Sequence, residues 1–449
     1  MQGAKENFKE FLKSIKKKAR DWWVIHGKLW TKCFIEYIVF AVLFSFVGAV
    51  IVVYFDLAHT DANSARYMLS ALVQSQAAIV AIVVSLTLIA VQLTASAYSP
   101  RVIRIFKENP DMWLLMFLYG GSIFYGLVVL KKIEGEDLSK IFLIGDSLEI
   151  HIISAYLFGI ISFAMLFKYM LSIMDLLTSE TIINRLKDRI TKDNLLNSKE
   201  DPIQPIMDIV HGSIMKYDIA TTRVGLKAVT ERVINVFKNE SIASKDEKKI
   251  SEHVCIPLGR VGILAASRED EETILEVIFK LAKFWKFTLE KRLDLLAGDA
   301  LESMGKLGLT TVRKGFDDST MIVARYIEEF GITAVRANPF GTGNAVNFLG
   351  EIGIIAVKNG LEDATKQTVG SLIEIGKTTV INGELEHEIA KMAAFSLAEL
   401  TLLNKDIVKT TIQIYESKLG EQDRVPFQKF IGLYKQGLKK IRTEAENTE

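Results

Sequence analysis

The chain has 449 residues, 49% of them hydrophobic and 24% charged, with a formal net charge of +1. So small a net charge gives no global field to recruit nucleic acid, and no helix-turn-helix or zinc signature argues otherwise. Two cysteines, Cys33 and Cys255, are too few and too isolated for a disulfide framework or a Cys-rich metal site, which fits a reducing compartment for any soluble part.

Charge is distributed unevenly. It is sparse from Thr31 to Leu177 and dense on both sides, which predicts a membrane part joined to a soluble part. Residues 1–31 form a basic segment in which Phe8, Phe11, Leu12 and Ile15 fall at helical spacing opposite a lysine-rich face, the pattern of an interfacial amphipathic helix. Trp22, Trp23 and Trp30 follow, and indole rings favour the headgroup layer. The apolar run that begins at Cys33 starts late and is long enough to span, which argues against a cleaved secretory signal.

A hydrocarbon core of roughly 30 Å needs about 20 apolar residues of helix. Four segments of a membrane domain over 32–178 meet that test: 33–55, the long run 69–101, 112–130 and 150–177. Lysine and arginine cluster before the first span, between the second and third (Arg101, Arg104, Lys107) and after the fourth (Arg185, Lys187, Arg189, Lys192), whereas the other two loops are poorer. By the positive-inside rule both termini face the cytoplasm in a multi-pass cell-membrane protein. Glu36 and Lys168 lie inside apolar runs near cytoplasmic ends, where long side chains snorkel to water; that reading outweighs an ion or proton site.

The second span is unusual. On a helical wheel Gln74, Ala78, Ala81, Ser85, Gln92, Ser96 and Ser99 fall within a sector of roughly 60°, with Gln76, Thr87 and Thr94 nearly opposite. Such a small, polar, uncharged stripe packs helices together, within a subunit or between subunits. The rival reading makes it the lining of a wet path around the axis of a homo-oligomer, with amides and hydroxyls replacing hydration.

The block 85-SLTLIAVQLTASAYSPRVIRIF-106 resembles the hallmark of an uncharacterised family of predicted prokaryotic membrane proteins, the domain of unknown function 2254. The matching positions are Ser85, Gln92, Leu93, Ser96, Ser99, Pro100 and Arg101. The resemblance implies an integral membrane protein and brings no activity, cofactor or catalytic residue with it. Pro100 itself tends to close one helix or open another. Arg101 and Arg104, one turn apart, read as membrane-surface anchors ahead of lipid readers or gates.

Residues 179–257 form a helix-rich connector interrupted by 201-DPIQP-205. Beyond it, 306-KLGLTTVRKG-315, 329-EFGITAVRAN-338, 351-EIGIIAVKNG-360 and 374-EIGKTTVING-383 align, with glycines Gly308, Gly331, Gly353 and Gly376 about 22 to 23 residues apart. An earlier copy, 260-RVGILAASRE-269, places Gly262 two periods before Gly308. Taken in pairs the period is about 45 residues, the two-helix unit of HEAT-type solenoids. Each of the four copies ends in a turn residue, Gly315, Asn338, Gly360 or Gly383, as helix C-caps do. The expected fold is therefore all-α: a four-helix transmembrane module, then a cytoplasmic HEAT-like solenoid or helical-hairpin array over 258–441, then a tail at 442–449. Within the array, 338-NPFGTGN-344 reads as an inter-helix turn.

Chemistry is sparse. His253 and Cys255 are the closest metal-like pair, and two ligands make no zinc site. No Gly-x-Ser-x-Gly, His-Glu-x-x-His or P-loop occurs, so no enzyme activity and no cofactor are expected. The leading expectation is a non-enzymatic membrane-anchored interaction or regulatory protein whose array binds a protein partner or its own copies. The alternative is a homo-oligomeric channel or transport-like protein with the second span lining the path.

Overall fold

The computed structural model describes residues 27, 30–50, 54, 62–133, 148–197, 201–240, 242–335, 339–380 and 384–446. The basic amphipathic segment and its first two tryptophans lie outside the described residues, as do Asn338, Gly383 and the end of the tail. The chain divides into two compact units, residues 1–188 and 189–449. Helices dominate both, and no strand occurs among the described residues.

The first unit holds the four apolar helices. They are α1 (Trp30–Val50), α2 (Ala62–Ala97), α4 (Pro110–Ile133) and α5 (Leu148–Leu176), with a 3-10 turn (Pro100–Val102) and the short α3 (Ile103–Lys107) between α2 and α4. α6 (Ser179–Asp188) closes the unit. All four are long and apolar enough to cross a membrane. Only 17% of the most apolar window of α1 and of α2 is buried, so the remainder presents Phe34, Val42, Phe46, Leu88 and Leu93 outward. In water such a belt would aggregate; in lipid it is the ordinary outside of a span.

Close approach holds the bundle together where lipid removes the hydrophobic drive between helices. A Cβ on Gly48 of α1 would meet Leu157 of α5 at 2.9 Å, one on Gly126 of α4 would meet Val73 of α2 at 2.7 Å, and one on Gly159 of α5 would meet Leu72 of α2 at 2.9 Å. Around these contacts Tyr37, Leu115, Tyr119, Met165 and Tyr169 form one core, and Ala65, Leu69, Val129, Ile152, Ala155 and Tyr156 form another.

The second unit is an array of helix pairs. After α7 (Lys192–Asn197) come α8 (Gln204–Met215) with α9 (Ile219–Phe237), α11 (Cys255–Ser267) with α12 (Glu271–Glu290), and α13 (Asp294–Lys314) with α14 (Asp317–Ala334). They continue as α15 (Pro339–Lys358) with α16 (Glu362–Thr379) and α17 (Glu384–Leu403) with α18 (Lys405–Ser417), closed by α19 (Glu421–Glu446). A further helix, α10 (Ser244–His253), is inserted between the first two pairs. First members of successive pairs stack in one layer and second members in the other.

The repeated glycines sit where the layers approach. Cβ atoms on Gly262, Gly308 and Gly353, at equivalent places in one layer, would press on Leu307, Ile352 and Leu400 of the next pair at 2.8, 2.7 and 3.0 Å. Gly331 does the same in the other layer, against Ile375, and Gly376 meets Phe430 of the closing α19. The half-period seen in the sequence is thus one helix per layer. The C-caps Gly315 and Gly360 take φ of +84° and +70°. Glu269 holds the same turn position at φ +59°, and Tyr217 at φ +57° ends α8 in the same way.

Two expectations change here. The connector 179–257 is not a separate piece: α6 belongs to the first unit, and α8 and α9 are already a pair of the array, packing on α11 and α12. The repeat pattern missed this pair because Tyr217 stands where later copies have glycine and α10 lengthens the spacing. The turn expected over 338–344 also moves, because α15 begins at Pro339 and its first turns include Gly341, Thr342 and Gly343. Proline at the first helical position has no N–H to lose, and the buried Thr342 hydroxyl donates to Gly331 O at 3.1 Å, fixing the helix start.

Candidate functional site in the four-helix bundle

The polar stripe of α2 lies on the outside of the chain. Gln74, Ser85, Gln92 and Ser96 are exposed, as are Ala78 and Ala81 between them. The stripe therefore does not pack helices within the subunit. That role falls to the opposite face: Gln76, 2% exposed, donates from Nε2 to Ser122 Oγ of α4 at 2.9 Å, and Thr87 Oγ1 shares a 2.5 Å hydrogen bond with Tyr169 Oη of α5. Ser99 leaves the stripe altogether. It is buried and caps the 3-10 turn, its Oγ accepting from Arg101 N at 3.3 Å.

Pro100 is exposed and opens that turn three residues after α2 has ended. The segment is amphipathic: Val102, Ile105 and Phe106 are buried, while Arg101, Arg104 and Lys107 face outward.

The outward stripe is less costly in lipid than its composition suggests. Ser85 Oγ donates to Ala81 O at 2.9 Å and Ser96 Oγ to Leu93 O at 2.9 Å, so these hydroxyls are satisfied within their own helix. Gln74 and Gln92 stand eighteen residues apart, about 27 Å of helix, close to the thickness of the hydrocarbon core. Ser85 lies about midway between the two amides.

At the end of the bundle that carries Ser99-Pro100-Arg101, a charged cluster joins α1, α4 and α5. Lys168 Nζ lies 3.1 Å from Glu36 Oε2 and 3.5 Å from Asp111 Oδ1, and sits 4.0 Å from the centre of the Tyr37 ring. Ser172 Oγ donates to Asp111 Oδ2 at 2.5 Å, and Tyr37 Oη to Asp111 O at 3.2 Å. Arg185 of α6 reaches Asn109 Oδ1 at 3.5 Å; burial lowers the guanidinium's pKa, while the charge of Asp111 pulls it back up. Lys168 does not snorkel to water as its position in the sequence implied. Its side chain is 12% exposed because two carboxylates lie within reach inside the bundle. Nothing in the sequence marks Asp111, since an acid beside a proline at a helix start resembles an ordinary first-turn residue.

In the second unit, His253 and Cys255 do not converge. His253 Nδ1 pairs with Asp201 at 2.9 Å, and Cys255 is fully buried, where burial raises its thiol pKa. Among the described residues no group of three or more His, Cys, Asp or Glu is placed to hold a metal ion.

Residues 26–218 match the family model described as Predicted membrane protein (DUF2254). That stretch contains the four spans, the Ser-Pro-Arg segment and the charged cluster, and it ends within the turn between α8 and α9. No curated protein matches the chain. One solved structure, described as a "Circular tandem repeat protein with novel repeat topology and enhanced subunit contact surfaces", covers 86% of this chain and 98% of its own at 13% identity. Its TM-score of 0.29 is too low for any structural argument.

Proposed function

We propose that this is a non-enzymatic integral membrane protein that self-associates through the outward polar face of α2, with both termini in the cytoplasm. The helical array then serves as an interaction domain for a cytoplasmic protein partner or for its own copies. The observation that carries this reading is the exposure of Gln74, Ser85, Gln92 and Ser96 on a helix otherwise clothed in Val, Leu and Ile. Its own helix gives Gln74 one long hydrogen bond, from Nε2 to Ser70 Oγ at 3.4 Å, fewer than a side-chain amide can make. A second copy presenting the same face supplies the others, and Ala78, Ala81 and Ser85 let two backbones approach closely.

A channel with α2 around its axis ranks second. The outward stripe is compatible with it. However, the two glutamines stand eighteen residues apart and the Ser85 hydroxyl between them is already bonded to Ala81 O, which leaves little polar lining between the two amides.

Cysteine cross-linking of the full chain in native membranes tests the interface. Ser85→Cys and Gln92→Cys give covalent dimers, whereas Phe117→Cys, 73% exposed on α4, gives none. Absence of dimers from the α2 positions, with a monomer in lipid nanodiscs, overturns the reading. Topology is checked with Lys358→Cys: modification by an impermeant thiol reagent outside intact cells would refute cytoplasmic termini.

A further inference from the structure

The bundle carries polar groups through its whole interior, not only at its charged end. On α5, His151 and Lys168 are seventeen residues apart, about 26 Å of helix, and so lie near opposite ends of the hydrocarbon core. His151 is 5% exposed, and its Nδ1 is 3.0 Å from Tyr125 Oη. About one turn inward come Tyr156 and then the Gln76–Ser122 pair. Tyr119 follows, in one buried cluster with Tyr37 and Tyr169, and Tyr169 is bonded to Thr87. Tyr37 then donates to the backbone of Asp111, whose carboxylate faces Lys168 and Ser172.

Several atoms of this column are unsatisfied. His151 Nε2, Tyr156 Oη and Tyr119 Oη have no hydrogen-bond partner, although their residues are 5%, 8% and 1% exposed. An orphaned buried hydroxyl costs on the order of 1–3 kcal/mol, and apolar residues of similar size would avoid that cost. Two such hydroxyls, on Tyr156 and Tyr119, between a histidine that carries the third orphaned atom and an acid–lysine cluster therefore point to a ligand. Water bridges neighbouring buried polar groups by hydrogen bonds.

We propose that the interior of each four-helix bundle is a proton path, running from His151 through hydrated tyrosine, serine and threonine hydroxyls to the Asp111–Lys168–Glu36 cluster. Its substrate is the hydrated proton. Each imidazole, hydroxyl or water takes a proton on a lone pair and releases another to the next group, so nothing is oxidised and no co-reactant is consumed. Gln76 cannot relay in this way; its amide orients its neighbours. Intramembrane ionisable residues facing a bundle interior commonly mark such relays. The path lies within one chain and does not require the α2 face to form an interface.

The test uses the full-length protein in liposomes containing a pH-sensitive dye, with a potassium diffusion potential set by valinomycin. Wild type is expected to pass protons at least fivefold faster than protein-free vesicles. Tyr119→Phe and Tyr156→Phe each remove one orphaned oxygen, so both fold with an unchanged or raised melting temperature while the flux falls at least fivefold. A purely structural column predicts the same melting behaviour and no change in flux. Wild-type flux equal to that of empty vesicles, flux unaltered in both variants, or potassium passing without valinomycin would each overturn the proposal.

Discussion

Lys168 Nζ lies 3.1 Å from Glu36 Oε2 and 3.5 Å from Asp111 Oδ1, so one ammonium ties α5 to both α1 and α4. The two acids are not equivalent. The Glu36 side chain is 41% exposed and that of Asp111 is 7% exposed.

Their loss should therefore differ in cost. Asp111→Ala takes a counter-charge from a nearly buried lysine and strips Ser172 of its acceptor, an expected loss of about 3–5 kcal/mol. Glu36→Gln, at the partly solvated edge, should cost no more than about 1 kcal/mol. Thermal unfolding in a single detergent ranks the two. Equal effects would show that the acids share the lysine equally.

Glu269 holds a left-handed turn between α11 and α12 at φ +59°, the place occupied in later copies by Gly315 and Gly360. A residue with a Cβ is strained there by about 1–2 kcal/mol. Glu269→Gly should recover about 1 kcal/mol despite glycine's greater freedom in the unfolded chain. The midpoint of urea unfolding of the full protein in detergent measures it, and a decrease in the midpoint would refute the account.

The opposite substitution is harmful inside the layers. A Cβ at Gly376 would collide with the Phe430 ring, and one at Gly308 would lie 2.7 Å from both Ile352 and Val323. Gly376→Ala and Gly308→Ala should each cost about 1–3 kcal/mol through overpacking. Gly370, with open space where a Cβ would go, is the control: Gly370→Ala should be neutral or slightly stabilising in the same unfolding experiment.

The His253–Asp201 pair makes the array sensitive to pH. The hydrogen bond to Asp201 raises the His253 pKa above its usual value, and burial opposes this only in part. Because the folded pKa is the higher, the stabilisation is full below the unfolded value of about 6.5 and is lost as pH rises through the folded one. His253→Gln should flatten the dependence of stability on pH above about 6.5. A wild-type profile as flat as the variant's would remove the pair from the account.

The sequence by itself determined that four spans exist and that the remainder is built from helix pairs. Each follows from a local pattern: an unbroken apolar run longer than the bilayer requires, or glycines returning after one helix and a turn. It also located the polar positions of α2. It did not determine which of its two polar faces turns inward, because a helical wheel fixes angles around one axis and says nothing of where neighbouring helices stand. Gln76 and Thr87 became the buried contacts, and Gln74 and Ser85 the exterior, only when α4 and α5 packed against one side. Asp111 and Lys168, far apart along the chain, likewise became partners through tertiary structure alone. Their attraction depends on distance across the bundle, which no spacing along the chain encodes.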